Sequence, residues 1–160
     1  MSGIITDNLG RASGLLKAAG GGKVLQVVEG KMSAAQQLSS SSTWTAITNH
    51  TGTITLSATS SKLLVFLTAQ LYGATNNNTG IDLYYDIGGA GYNSMGVPTR
   101  GNGLNEGIGC ALSVLVSPSS TSEINVKPYI KSYNNSGNVY YNYNGSTATY
   151  SNMILMEISA

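Results

Sequence analysis

The segment Glu123–Tyr133, with the sequence EINVKPYIKSY, alternates apolar and polar side chains along most of its length. In an extended chain, one face would carry the apolar set Ile124, Val126, Pro128 and Ile130. The opposite face would carry the polar set Asn125, Lys127, Tyr129 and Lys131. This period of two predicts a half-buried β-strand. Proline cannot donate a ladder hydrogen bond, so Pro128 favours an edge position or a bulge.

Similar segments occur on both sides of this strand. About eight to ten strand-like runs, separated by turn residues at intervals of roughly 8–12 residues, follow Lys23. Lys62–Tyr72 is the longest apolar run, and its flanking serines and glycine favour a buried strand over a helix. Asn134–Gly137 is a hairpin signal between the strands on either side of it. This cadence predicts an all-β fold, an antiparallel sandwich or barrel.

The chain closes on the apolar run Ser151–Ala160, SNMILMEISA. Terminal residues usually fray unless packing or pairing holds them. We therefore expect the last strand to lie inside the fold or inside an oligomer.

The first 22 residues differ from the rest. They carry two apolar clusters, comprising Ile4 and Ile5, and Leu9, Leu15 and Leu16. They end in Gly20-Gly21-Gly22, which is typical of a flexible hinge. Residues 1–22 are interpreted as an arm that is ordered only against a neighbour, or else as a frayed tail, and residues 23–160 as the head domain.

Composition excludes several partners. The net charge is +1, charged residues make up 9% of the chain, and Lys and Arg are scattered singly. We therefore expect contact neither with nucleic acid nor with a membrane surface. The sequence lacks the apolar stretch of a signal peptide and the roughly 20 apolar residues of a membrane span. Cys110 is the only cysteine, so it is interpreted as a small hydrophobic residue.

Catalytic patterns are sparse. The single histidine, His50, lies in a turn, where we expect it to be solvated. Asp82 and Asp86 are four residues apart on a strand, about 13 Å, which is too far for a glycosidase pair. A calcium site using one of them is an alternative. The sequence predicts no enzyme, no cofactor and no metal site.

Tyrosine and asparagine are concentrated near the C-terminus. Six of the ten tyrosines lie between Tyr129 and Tyr150, interleaved with asparagines. This composition suits recognition of uncharged surfaces such as host glycans, with Tyr140 and Tyr143 as candidate contacts. Alternatively, the tyrosines simply cover a strand face and fill the edge of the core.

Several short motifs resemble those of bacteriophage structural proteins, including those of marine and cyanobacterial phages. They are Thr53–Leu56 with Ser60–Val65, the opening residues 1–18, Ser117-Pro118 with Ile124–Lys127, and the closing Met153–Ile158. The resemblance implies a jelly roll like the trimeric heads of tumour necrosis factor and C1q, with the C-terminal strand near the threefold axis. Met153, Leu155 and Ile158 would then line the homotrimer interface.

The resemblance also implies a role. A non-enzymatic capsid decoration or head-fibre protein of the virion is expected, made in the host cytoplasm. The apolar residues of the arm would anchor it to the major capsid protein or another virion protein. The alternative is a tail-fibre or receptor-binding module that recognises host surface glycans.

Overall fold

The computed structural model describes residues 22–39, 41–74, 78–101, 107–134, 137–143 and 148–160. Within these ranges the regular structure consists of β-strands, and no helix occurs. Residues 1–21, which include the predicted anchoring residues Ile4, Ile5, Leu9, Leu15 and Leu16, lie outside the described residues.

Twelve strands are found within the described ranges. They are β1 (Val24–Met32), β2 (Gln36–Leu38), β3 (Thr45–Ala46), β4 (Gly52–Thr55), β5 (Lys62–Gly73), β6 (Thr79–Ile87), β7 (Asn93–Ser94), β8 (Thr99–Gly101), β9 (Gly107–Val116), β10 (Glu123–Ser132), β11 (Val139–Tyr141) and β12 (Ser151–Ile158). The sequence did not predict β2 or β8.

The strands form two antiparallel sheets. In the first sheet, β12 lies between β1 and β5, β9 pairs with the other edge of β5, and β11 joins the end of β5 to β2. In the second sheet, β10 pairs with β6 on one side and with β3 and β4 on the other, while β7 and β8 pair with β6. Many strands that are neighbours within a sheet come from distant parts of the chain. This arrangement is a jelly roll, as predicted.

The core lies between the two sheets. The alternation of β10 is confirmed, because Ile124, Val126 and Ile130 are fully buried while the polar set faces outward. Gly52 on β4 packs against the side chains of Leu155 and Met153, and a Cβ there would collide with the Leu155 methyl group. A side chain at position 52 would therefore displace core residues.

Two local predictions need correction. Of the two positions predicted for Pro128, the edge is wrong, because Pro128 lies in the central strand β10, where the pairing on one side is interrupted between β3 and β4. Its carbonyl still accepts a hydrogen bond from the Ile47 amide at 2.9 Å. The turn signal Asn134–Gly137 does not close a hairpin, because β10 and β11 belong to different sheets.

Candidate functional site

The outer face of the first sheet carries a band of apolar side chains. Cross-strand pairing places Val27 beside Met156, Met156 beside Leu64, and Leu64 beside Leu115, in one row across β1, β12, β5 and β9. Ile154 and Phe66 are paired in the next row. We call these six residues the apolar face.

Much of the apolar face is open to solvent in the single chain. The exposed fraction is 57% for Val27, 52% for Leu115 and 40% for Phe66. Its first row contains no charged residue, and the ion pair between Lys31 and Glu29, at 3.1 Å, lies to one side of it. A contiguous apolar patch rimmed by polar residues is typical of an interaction surface.

The structure places the three predicted interface residues on different faces of β12. Met153 and Leu155 are fully buried in the core of the subunit itself, so their side chains are not available to a partner. Ile158 is half-buried and pairs with Val24 at the edge of the sheet. The strand β12 has apolar residues on both faces, and its outward apolar residues are Ile154, Met156 and Ile158.

The two predicted glycan contacts, Tyr140 and Tyr143, do lie close together. Their ring centroids are 4.9 Å apart. Tyr72 joins them, because β5 pairs with β11 and places Tyr72 opposite Tyr140. Its ring centroid lies 5.6 Å from that of Tyr140 and 5.5 Å from that of Tyr143. These three half-buried residues, the tyrosine triad, lie at the end of the first sheet away from the apolar face.

A shallow cleft lies on the same sheet between these two surfaces. Its volume is about 460 Å³, and it is lined by Thr68, Gln70, Cys110 and the highly exposed Tyr150, among others. Burial raises the pKa of the Cys110 thiol to about 11, despite its hydrogen bond with the Ala69 backbone. At neutral pH the thiol is therefore protonated and poorly nucleophilic.

His50 was expected to be solvated, and that expectation was wrong: the side chain is 1% exposed. Its Nε2 lies 3.0 Å from the Gly30 carbonyl, which can only accept, so Nε2 carries the proton. Its Nδ1 then accepts from the Tyr141 hydroxyl at 2.6 Å, and the Ser151 hydroxyl oxygen lies 3.1 Å from the same nitrogen. Burial lowers the pKa of His50, although the hydrogen bond to Gly30 opposes this effect.

The Ser151–His50 contact superficially resembles part of a nucleophilic triad. Both side chains are buried, and the Ser151 hydroxyl accepts a hydrogen bond from the Asn142 amide at 2.9 Å. The Asn142 amide also donates to the Met32 carbonyl at 3.0 Å. This network links β1, β11 and β12 inside the fold, and it presents no nucleophile to a substrate.

Asp82 and Asp86 are buried next to the segment 91–97, part of which pairs with β6 as β7. Asp82 accepts hydrogen bonds from the Ser94 hydroxyl at 2.6 Å and the Val97 amide at 3.2 Å. Asp86 accepts from the Gly91 amide at 2.7 Å. Their carboxylates hold this segment on the sheet. Among the described residues, no group of three or more His, Cys, Asp or Glu side chains is placed to bind a metal ion.

No protein-family model and no curated protein matches the sequence. Within the part of the chain that the structure covers, no helix is long and apolar enough to cross a membrane.

The fold is similar to several solved structures. Eiger TNF from S. frugiperda aligns with a TM-score of 0.52 and 8% identity, over 84% of this chain and 93% of that chain. The Gx strain of infectious bursal disease virus aligns with a TM-score of 0.43 and 12% identity, over 86% of this chain and 41% of that one. The CBM22-1 xylan-binding domain from Paenibacillus barcinonensis Xyn10C aligns with a TM-score of 0.39 and 9% identity, over 87% of this chain and 97% of that domain. The likeness to the TNF structure confirms the predicted fold and, at this identity, shows the fold alone.

Proposed function

We propose that this protein is a non-enzymatic structural protein of a bacteriophage virion, which forms homotrimers and decorates the capsid. Its sequence motifs resemble those of phage structural proteins. The observation that carries the proposal is the apolar face, which a second copy of the chain would cover. Assembly would follow synthesis in the host cytoplasm.

The size of the apolar face suits the centre of such an interface. Four strands spaced about 4.8 Å apart make the first row about 15 Å wide. A stable interface buries about 800 Å² on each partner, with an apolar centre and a polar rim. The apolar face would supply the centre, and neighbouring residues such as Thr68 and Ser113 would supply part of the rim.

Light scattering on the purified chain tests the trimer. Three chains of 16.6 kDa would give a particle of about 50 kDa. The double variant Phe66→Lys, Leu115→Lys should be monomeric, because it places two charges in the apolar centre. Thr55→Lys, an exposed change on the second sheet, should leave the mass unchanged. A wild-type mass of 16.6 kDa would refute the trimer.

Attachment to the capsid is proposed to depend on residues 1–22, through Ile4, Ile5 and the three leucines of the arm. Deleting these residues should abolish binding to the major capsid protein, or whichever virion protein holds the arm, and leave the trimer intact. Loss of the trimer on deletion would contradict the division into arm and head.

The tyrosine triad favours a second candidate, a tail-fibre or receptor-binding module that recognises host glycans. Three clustered rings offer a large contact area at low conformational cost. Binding to a glycan array that is lost in Tyr140→Ala and Tyr143→Ala, and kept after deletion of residues 1–22, would support this candidate over decoration.

A further inference from the structure

The outer face of the second sheet carries a line of four aromatic rings. Trp44 lies 6.4 Å from Tyr84, Tyr84 lies 4.0 Å from Tyr129, and Tyr129 lies 6.0 Å from Tyr92, all measured between ring centroids. The line crosses β6 and β10 and continues onto the segments that precede β3 and β7. It was not evident from the sequence, because its members are up to 85 residues apart.

Three cations accompany these rings. The Lys127 ammonium lies 4.9 Å from the centroid of Tyr92. The Lys131 ammonium lies between Trp44 and Tyr133, at 4.7 Å and 4.2 Å from their centroids. The Arg100 guanidinium lies 4.8 Å from the Tyr133 centroid. We call the five rings and three cations the cation–aromatic row.

The backbone of β6 is adapted to this row. A Cβ at Gly80 would lie 2.7 Å from Tyr133 Cε2 and 3.1 Å from Trp44 Cη2. Glycine within a strand, as at the second residue of β6, is typical of a place where another group approaches the backbone closely. Gly80 therefore lets both rings, with Lys131 between them, rest directly on the sheet.

The charged side chains that the row exposes are cations, while two carboxylates lie on the same face of the sheet beside Tyr84 and Tyr129. The carboxylates nearest to it, Asp82 and Asp86, are buried and accept hydrogen bonds from backbone and hydroxyl donors. Glu123 faces the same side but lies four residues before Lys127 on β10, about 13 Å away. Exposed cation–π contacts are weak, so the lysine ammonium groups can pair with an incoming anion.

We propose that the cation–aromatic row binds an acidic polysaccharide. The flat faces of pyranose rings carry C–H groups that pack on aromatic rings, and carboxylate or sulfate groups pair with lysine and arginine. Lys127 and Lys131 are about 13 Å apart along β10, so a polymer with repeated acid groups can reach both cations.

The charge of the chain disfavours a single-stranded nucleic acid. A net charge of +1 is small for a protein that must neutralise the phosphate of every nucleotide along the strand.

The row is independent of the proposed trimer. It lies on the opposite sheet from the apolar face, so a copy docked on the first sheet would leave it open. Association of three chains would raise the apparent affinity for a long polymer through avidity.

Titration calorimetry and affinity electrophoresis on the full chain test the proposal. The probes are polygalacturonate for carboxylates, dextran sulfate for sulfates, neutral dextran as the uncharged control, and an oligothymidine for nucleic acid. We expect at least one of the two acidic polysaccharides to bind at least tenfold more tightly than neutral dextran and the oligothymidine. Which of the two binds shows whether carboxylate or sulfate groups are recognised. Binding of no acidic polysaccharide, or equal binding of the oligothymidine, would overturn the proposal.

Variants locate the site. Lys131→Gln should weaken binding at least tenfold, and Lys131→Arg should restore it, since arginine keeps the charge and the aromatic contacts. Trp44→Ala should also weaken binding. The matched control is Tyr72→Ala in the tyrosine triad, which should bind like the wild type. Unchanged binding in Lys131→Gln, or equal loss in Tyr72→Ala, would place the site elsewhere and refute the assignment.

Discussion

Replacing Glu157 by glutamine should destabilise the protein at neutral pH and make its stability less sensitive to acid. Glu157 is 1% exposed and is held by neutral donors. Its Oε1 accepts from the Ser57 amide at 2.8 Å and the Ser57 hydroxyl at 2.6 Å, and its Oε2 accepts from the Gln26 amide at 2.7 Å. Burial alone would raise the pKa of this carboxyl, but hydrogen bonds from Ser57, Ser61 and Gln26 lower it to about 2.

The magnitude follows from these contacts. A glutamine can keep its oxygen toward Ser57, but its amide nitrogen then faces the Gln26 nitrogen, which is also a donor. Rotating Gln26 would break its hydrogen bond to the Thr55 carbonyl at 2.6 Å. One amide N–H group, at position 157 or on Gln26, is thus left without an acceptor. The hydrogen bonds from Ser57 also become weaker, because they end on a neutral oxygen instead of a carboxylate. We expect a loss of about 1–3 kcal/mol in the free energy of unfolding at pH 7.

The pH dependence provides a second readout. In the unfolded chain Glu157 titrates near 4.5, and in the folded protein near 2. The unfolded state therefore binds the proton first, and the stability that Glu157 contributes is present above pH 4.5 and is lost as the pH falls toward 2. In Glu157→Gln this contribution is absent at every pH, so the stability difference between wild type and variant should shrink as the pH falls through this range.

Urea unfolding followed by the fluorescence of Trp44, the only tryptophan, measures both effects. The matched control is Glu29→Gln, because Glu29 forms a salt bridge of 3.1 Å at the surface and should contribute less than about 1 kcal/mol. A Glu157→Gln variant no less stable than Glu29→Gln, or a stability difference independent of pH between 4.5 and 2, would refute the reasoning.

Two further predictions concern the interior. The pKa of His50, measured by NMR on the single histidine, should lie below 6.5. As the pH falls, the unfolded chain would then be protonated before the folded protein, so the free energy of unfolding should decrease below pH 6.5. A measured pKa of 6.5 or higher would contradict the buried network. Gly52→Ala should cost about 1–3 kcal/mol in urea unfolding, because its Cβ would collide with Leu155. Gly109→Ala, whose Cβ meets nothing within 4 Å, is the control, and an equal loss in both variants would show that packing at Gly52 is not the cause.

The sequence predicted which segments form strands better than it predicted which strands pair with one another. Period-two alternation identified both faces of β10, because burial acts locally on each side chain. It could not show that β10 and β11 separate into different sheets, since a turn signal such as Asn134–Gly137 is the same at a hairpin and at a crossover. The buried state of His50 was also hidden, because its partner Tyr141 is 91 residues away and only the tertiary fold brings them together.

The last strand shows a different limit. Alternation assigns Met153 and Leu155 to one face of β12 and Ile154 and Met156 to the other, and both sets are apolar. Periodicity therefore cannot decide which set faces the core, and the structure assigns Met153 and Leu155 to it. The signal that made this segment suggest an interface was nevertheless present, because a strand that is apolar on both faces leaves one set uncovered in a single chain.

The two outer faces of the sandwich differ in chemistry, and this difference constrains any assembly. Burying the lysines of the cation–aromatic row at a subunit interface would require an anionic partner, because an unpaired charge is costly to remove from water. Covering Val27, Phe66 and Leu115 removes apolar surface from water and is favourable without any such partner. Copies of this chain should therefore associate through the first sheet, with the second sheet directed outward, where its cations and rings can meet a ligand.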